Sequence, residues 1–378
     1  MIHTRQGLEE LARAASSAAV VGLDTEGDGF YRYRARLCTL QLAMPGRIAL
    51  VDTLALEDLE PLRELLGAAR PEKILHDCFY DARMLAQSGI PLAGVYDTSV
   101  AARFLGDVAT GLGSLLLAHL GVEVPKEHQR ADWGARPLPE DQLAYLENDV
   151  AHLEPLAEVM RARCADAGIT DEVAEECRYA LACAALPEEP SLPWTRVKGV
   201  HELRSGRQRA VLRELCLLRE ALAEADDVPP FRIFPNALLL AVAKRPPRSA
   251  VEAKAFGSLR RHARQLPKIL EAVERGMSQA EVPQAELQVF RPVPPTPAER
   301  EQRKSLEAAL SGWRRSEAEA RQVTIHVVLP GHCLRALVAR APTELEQPRQ
   351  IAGLGECRVE RYGAALLKCM KSALADPS

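Results

Sequence analysis

Hydrophobic positions in the first third of the chain come in short runs, several closed by a carboxylate. Ala19-Val20-Val21-Gly22-Leu23 ends on Asp24, Leu37-Cys38-Thr39-Leu40-Gln41-Leu42 follows, and Ile48-Ala49-Leu50-Val51 ends on Asp52. Runs of this length predict strands, with Gly46-Arg47 turning between the second and third. Lys73-Ile74-Leu75-His76 predicts a fourth strand. Helical spacing marks Leu59 to Leu66, Phe79 to Gln87 with Gly89 as its stop, and Leu112 to Leu120 stopped by Gly121. Strands with helices packed around them imply a mixed α/β domain.

The pattern then changes. Glu140 to Ala167 reads as helix, with Pro155 expected to kink or break it. Leu186 to Pro193 is proline-rich and reads as a linker. After Trp194 the strand signals largely disappear. Arg207 to Glu224 is an amphipathic helix, Pro229-Pro230 breaks the chain, and Asn236 to Lys244 is a second helix. Pro292 to Pro297 is a second linker. Asn236 to Pro246 and His332 to Pro342 are both apolar helices ending on a basic residue and a proline, 96 residues apart. A repeated helical unit is the simplest account of that match.

At 378 residues the chain has room for about two or three domains. No apolar run approaches the roughly 20 residues a membrane-spanning helix needs. The N-terminal residues have no apolar core of a secretory signal, so the expected compartment is the cytoplasm. Nine cysteines, an odd number with no CxxC pair, argue against a disulfide framework or a thiolate zinc site. The net charge of −4 hides an asymmetry: residues 1–190 carry −14, residues 191–295 carry +7 and residues 296–378 carry +3. A basic segment suits a polyanion through phosphate neutralisation, and equally suits a solvated helical surface.

Three carboxylate elements carry the candidate chemistry. Asp24 and Glu26, at i and i+2 of a strand, leave on the same face. Two such carboxylates repel unless a proton or a cation intervenes, and hard oxygen ligands suit magnesium or manganese. Asp81 sits in the first turns of a helix after a strand, where an acid also complements the helix dipole. Tyr145 and Asp149 are i, i+4 on one helix face. Taken alone, each has an ordinary packing explanation, and Tyr145 reads equally well as a core tyrosine.

In this order the three resemble the exonuclease motifs of the DEDD superfamily: DxE, an Asp after a strand, then YxxxD, whose tyrosine marks the DEDDy branch. Asp97-Thr98, closing a strand, and the run Lys126-Glu127-His128-Gln129-Arg130-Ala131-Asp132-Trp133-Gly134-Ala135-Arg136-Pro137-Leu138 resemble the bacterial ribonuclease D family. Residues about 200–280 look like an HRDC domain and residues about 296–375 like a divergent second copy. The resemblance implies a ribonuclease H-like exonuclease domain with a mixed sheet over 1–190, and two all-α HRDC-like domains over 195–285 and 296–375. Leu146-Glu147-Asn148 before Asp149 departs from the small residues frequent in the family, and the resemblance gives the loop Gly27 to Tyr31 no role.

It also implies a mechanism. Two divalent ions, Mg2+ or Mn2+, would be held by Asp24, Glu26, Asp81 and Asp149, with Tyr145 orienting the attacking water. The product would be a nucleoside 5′-monophosphate cut from an RNA 3′ end, with tRNA precursors and small stable RNAs as leading substrates and no obligate protein partner. Gln41, His76, Lys126, Gln129 and Arg136 are candidate substrate contacts, each with an equally good structural reading. Arg207, Arg209, Arg213, Lys244, Arg245 and Arg248, with Arg260, Arg261 and Arg264, are candidates to hold the RNA body. The alternatives are a DNA-directed exonuclease of the same branch and a non-catalytic nucleic-acid binder. No phosphate loop of the GxxxxGK[ST] type supports a helicase, and no GxSxG elbow supports a serine hydrolase.

Overall fold

The computed structural model describes residues 1–124, 128, 130–186, 192–290, 296–344 and 346–375. These fall into two compact units. One comprises 1–27, 37–186 and 295–378, the other 28–36 and 187–294.

The first unit is built on five strands: β1 (Val20–Gly27), β2 (Leu37–Met44), β3 (Arg47–Asp52), β4 (Glu72–Leu75) and β5 (Val95–Asp97). Their order is β3-β2-β1-β4-β5. The first three form an antiparallel meander, and β4 and β5 join β1 in parallel. Among the helices, α1 (Arg5–Ser16), α2 (Glu60–Gly67), α3 (Phe79–Gln87) and α4 (Thr98–Leu105) punctuate the sheet. They are followed by α5 (Leu112–Leu120), α6 (Glu140–Ala151), α7 (Leu153–Asp166) and α8 (Thr170–Ala184). This is the mixed sheet with surrounding helices that the hydrophobic pattern implied. The short β5, the strand that Asp97 closes, has no apolar run of its own; it is three residues long and is defined by its pairing with β4.

Pro155 does not kink a continuous helix. The break falls at His152, whose φ of −112° and ψ of 5° separate α6 from α7, and Pro155 occupies the first turn of α7. There a proline costs little, because the N–H it lacks would have had no intrahelical partner.

Gly22 explains how α6 reaches the sheet. A Cβ there would lie 3.2 Å from the Val150 carbonyl oxygen and 3.3 Å from the Ala43 Cβ. Glycine therefore lets the α6–α7 junction approach β1 two residues before Asp24, on the same face.

The C-terminal helical block belongs to this first unit. Val327 is wholly buried in the same cluster as Ile74, Val100, Leu156 and Val173 of the nuclease core. Arg358, wholly buried, pairs with Glu175 of α8 at 3.4 Å, and Arg321 pairs with Glu172 at 3.2 Å. The block thus packs into the same compact unit as the α/β domain, whereas the resemblance implied a second HRDC-like domain over 296–375 after a linker.

The second unit is helical, around the helix Gly206–Asp226 packed on Leu266–Ser278. Its core includes Trp194, Leu215, Phe234, Leu239 and Ile269. The loop 28–36 belongs here: Arg32 pairs with Asp227 at 2.9 Å and Arg34 with Glu224 at 3.0 Å. All nine cysteines are free, and six of them are buried. Among the described residues, no helix is long and apolar enough to cross a membrane.

Candidate active site

Strand β1 delivers Asp24 and Glu26 to one face, and α6 delivers Asp149 opposite them. One oxygen from each of the three lies within 4.8 Å of the others, making a group with metal-holding geometry. Asp81, on the first turn of α3, is almost wholly buried and accepts a 2.6 Å hydrogen bond from the Thr25 hydroxyl at Oδ1. Thr25 is the middle residue of the DxE motif, so one strand supplies two metal-type ligands on one face and an anchor for a third carboxylate from the other.

The electrostatics follow from burial and crowding. Asp24 is held well above the usual carboxylate range, by burial first and then by Asp81, Glu26 and Asp149. Burial, then Asp149 and Asp81, push Glu26 up to about 9. Burial raises Asp81 to about 7 against the pull of the Thr25 hydrogen bond. Burial raises Asp149 to about 6, against the hydrogen bond from Tyr145. Four carboxylates that cannot all ionise side by side are a site short of positive charge, and their all-oxygen donor set suits a hard divalent cation. The residues therefore fit such an ion.

Tyr145 projects from α6 beside Asp149, and its hydroxyl bonds that carboxylate. Its pKa is raised, by burial first and then by Asp149 and Glu26. The phenol thus stays protonated and acts as a donor. Its ring is held between Trp133, with centroids 5.8 Å apart, and His128, edge-on at 5.9 Å. Trp133 is buried, the core residue its type predicts.

Three of the candidate substrate contacts turn out to be internal. Gln41 pairs in register with Asp24 but is wholly buried, and its Nε2 donates to Thr39 Oγ1 at 2.7 Å. His76 is mostly buried, with Nδ1 2.9 Å from Thr98 Oγ1 and a further hydrogen bond to the Thr110 backbone; burial lowers its pKa. Arg136 spends all five N–H donors inside the protein: on both Asp52 oxygens and on the carbonyls of Cys38, Trp133 and Ala135, at 2.7–2.9 Å. None is left for a phosphate, so Arg136 pins the Trp133 segment to the sheet. Lys126 and Gln129 lie outside the described residues.

The basic candidates of the second unit divide in the same way. Arg209 pairs with Glu281, Arg213 with Glu286 and Glu214, and Lys244 with Glu202. Arg207, Arg245, Arg248 and Arg264 make no ion pair among the described residues. The side chains of Arg260 and Arg261 lie outside the described ones.

Sequence reasoning missed Thr25, Asp52 and His128. Thr25 and Asp52 act on partners 56 and 84 residues away, so no local spacing reveals them. The signal for His128 is conformational: φ of +77° in a residue that is not glycine.

A family model described as 3′-5′ exonuclease matches residues 1–164, and the HRDC domain matches 208–273 and again 303–370. A ribonuclease D of Pseudomonas paraeruginosa is 30% identical over 376 residues, 97% of this chain and 96% of the relative. A ribonuclease D of Acidiphilium cryptum is 34% identical over 238 residues, 62% of this chain and 60% of that relative. Among solved structures, a Bifidobacterium adolescentis protein superposes with a TM-score of 0.78 at 24% identity, covering 98% of this chain and 96% of that one. Escherichia coli RNase D, described as an exoribonuclease involved in structured RNA processing, does so with 0.70 at 22% identity over 98% of both chains. At those identities the superpositions speak for the fold. With the family model over the carboxylate-bearing domain and a relative matched along nearly its whole length, the chain belongs to the ribonuclease D family of 3′→5′ exonucleases.

Proposed function

We infer that this protein shortens RNA from its 3′ end, releasing nucleoside 5′-monophosphates, and that Asp24, Glu26, Asp81, Asp149 and Tyr145 carry the reaction. The observation that supports this most is the convergence of Asp24, Glu26 and Asp149 within 4.8 Å, with Tyr145 bonded to Asp149 and Asp81 beside them. Asp24, Glu26 and Asp149 would hold one Mg2+ or Mn2+ ion, and Asp24 with Asp81 a second. Such a pair lowers the pKa of a bound water and neutralises charge on the scissile phosphate and the departing 3′ oxygen.

The chain's own groups set the geometry. Tyr145, kept protonated, donates to Asp149 and holds its hydroxyl where an attacking water must be oriented. Thr25 fixes the Asp81 carboxylate, and Arg136 with Asp52 fixes the Trp133 segment against which the Tyr145 ring rests. Unpaired arginines of the second unit would neutralise backbone phosphates, a contact blind to sequence. The 3′ ends of tRNA precursors and other structured stable RNAs are the proposed substrates, and the cytoplasm the proposed compartment.

The test is product identity. An RNA labelled at its 3′-terminal nucleotide should lose the label as a nucleoside 5′-monophosphate before any shorter oligonucleotide is freed. Release of the label as an internal fragment, or as a 3′-monophosphate, would contradict the assignment.

A further inference from the structure

We infer that Asp97 is a positioning residue for this reaction: its buried carboxylate seats the first turn of α3, and through it Asp81. This rests on the reading above, in which Asp81 holds the second ion.

Asp97 ends β5, opposite Leu75 at the end of β4, and is 2% exposed. Its Oδ1 accepts from the backbone N–H groups of Ser99 at 2.8 Å, Val100 at 3.2 Å and Asp77 at 3.1 Å. Its Oδ2 accepts from the Cys78 N–H at 2.8 Å. The Cys78 thiol also bonds it; burial first, then Asp97, pushes that thiol pKa up, so it stays a neutral donor. Oδ1 thus caps α4 and holds the Asp77 N–H, and Oδ2 holds the residue that opens α3.

That second hold matters because the chain into α3 is in an unfavourable conformation. Asp77 has φ of +63° without being glycine, and Cys78 caps α3 with no side-chain hydrogen bond to the helix. A left-handed residue persists only where its surroundings over-determine it. Here the Asp97 carboxylate grips the peptide N–H groups of Asp77 and of the residue after it. Asp81 follows three residues after Cys78, and its carboxylate accepts from the Thr25 hydroxyl and from backbone N–H groups of Thr25 and of Asp81 itself. Thr25 aligns the carboxylate, and Asp97 fixes the backbone that carries it.

Asparagine removes the Oδ2 hold alone. Its carbonyl oxygen can keep the Oδ1 bonds and the α4 cap, but its NH2 places a donor against the Cys78 N–H. The test uses the full chain loaded with Mn2+ in the presence of adenosine 5′-monophosphate, read by electron paramagnetic resonance. The wild type should show the exchange-coupled signal of two neighbouring manganese ions. Asp97→Asn should show single-ion signal instead, with affinity for the second ion about 10–100-fold weaker, as expected for a residue that orients a ligand. Asp107→Asn, which removes a carboxylate held by Arg163, should lower stability and keep the coupled pair. Should Asp97→Asn fail to fold, Asp97→Ser retains a serine cap for α4 and still abandons Cys78. A coupled pair of wild-type affinity in either folded variant overturns the inference. A wild type that binds a single ion overturns the two-ion reading beneath it.

Discussion

Asp24 sits where two demands conflict: it must be buried enough to shape a site and charged enough to be a ligand. The raised pKa values of Glu26, Asp81 and Asp149, about 9, 7 and 6, express that conflict. Their ordinary values are 4.5 for the glutamate and 3.8 for the aspartates. Between those and the raised values the folded chain holds protons that the unfolded chain has released, so rising pH favours unfolding across that window. Below the ordinary values both states are protonated and the penalty vanishes. Metal-free protein should therefore melt at a lower temperature at about pH 8.5 than at about pH 5.5, and added Mg2+ should raise Tm more at the higher pH. Calorimetry on chelator-treated protein checks this; a Tm that climbs with pH in the absence of metal would contradict the carboxylate cluster. Strand and helix periodicities made the pairs Asp24 with Glu26 and Tyr145 with Asp149 legible in the sequence, but that these pairs and Asp81 form one site was legible only through the resemblance to the exonuclease motifs. The roles of Arg136 and His76 were not legible: a polar side chain is visible in sequence, but whether its donors are already spent depends on Asp52, Thr98 and Thr110, which the fold alone brings near.

At the scale of elements, β1 organises the site, since its two faces meet α6 and α3. The strands of the meander were readable from their apolar runs, and the helix Asn236–Lys244 was read to its ends. The break between α6 and α7 was misplaced because a proline in the first turn of a helix looks, in sequence, like a proline inside one. Arg136 and Asp52 decide whether the segment before α6 stays on the sheet. Arg136→Ala strands Asp52, which the arginine holds below the usual carboxylate range against the upward pull of burial. The loss should be about 2–4 kcal/mol in denaturant unfolding, somewhat below that of a fully buried pair because Arg136 is one-quarter exposed. An unchanged midpoint together with a higher KM for RNA would return Arg136 to the substrate contacts.

At the scale of the molecule, the charge asymmetry of the sequence has two meanings. The acidic front holds the carboxylate cluster, yet much of the basic charge is spent internally. Arg209 and Arg213 brace the first helical domain, and Arg321, Arg358 and Arg361 lock the second onto α8 through Glu172 and Glu175. The two HRDC repeats share a sequence pattern but serve different packing, which no local signal announces: the pairs join residues 149 to 189 positions apart. Gly355 shows how close the docking is, since a Cβ there would lie 2.0 Å from a Glu175 carboxylate oxygen. Arg358→Met leaves Glu175 buried without its partner and should cost about 3–5 kcal/mol, whereas Glu175→Gln with Arg358→Met should cost clearly less. A double-mutant cycle on unfolding midpoints measures the difference; additive losses would show that the pair does not hold the domain.

The central claim, that this carboxylate cluster removes nucleotides from RNA 3′ ends, is tested most directly by trimming 5′-labelled RNA and DNA of one sequence with and without Mg2+ or Mn2+, beside Asp24→Ala. The account predicts a stepwise ladder from the RNA 3′ end that requires metal and is lost in Asp24→Ala. A ladder that survives Asp24→Ala, or DNA shortened as fast as RNA, would contradict it.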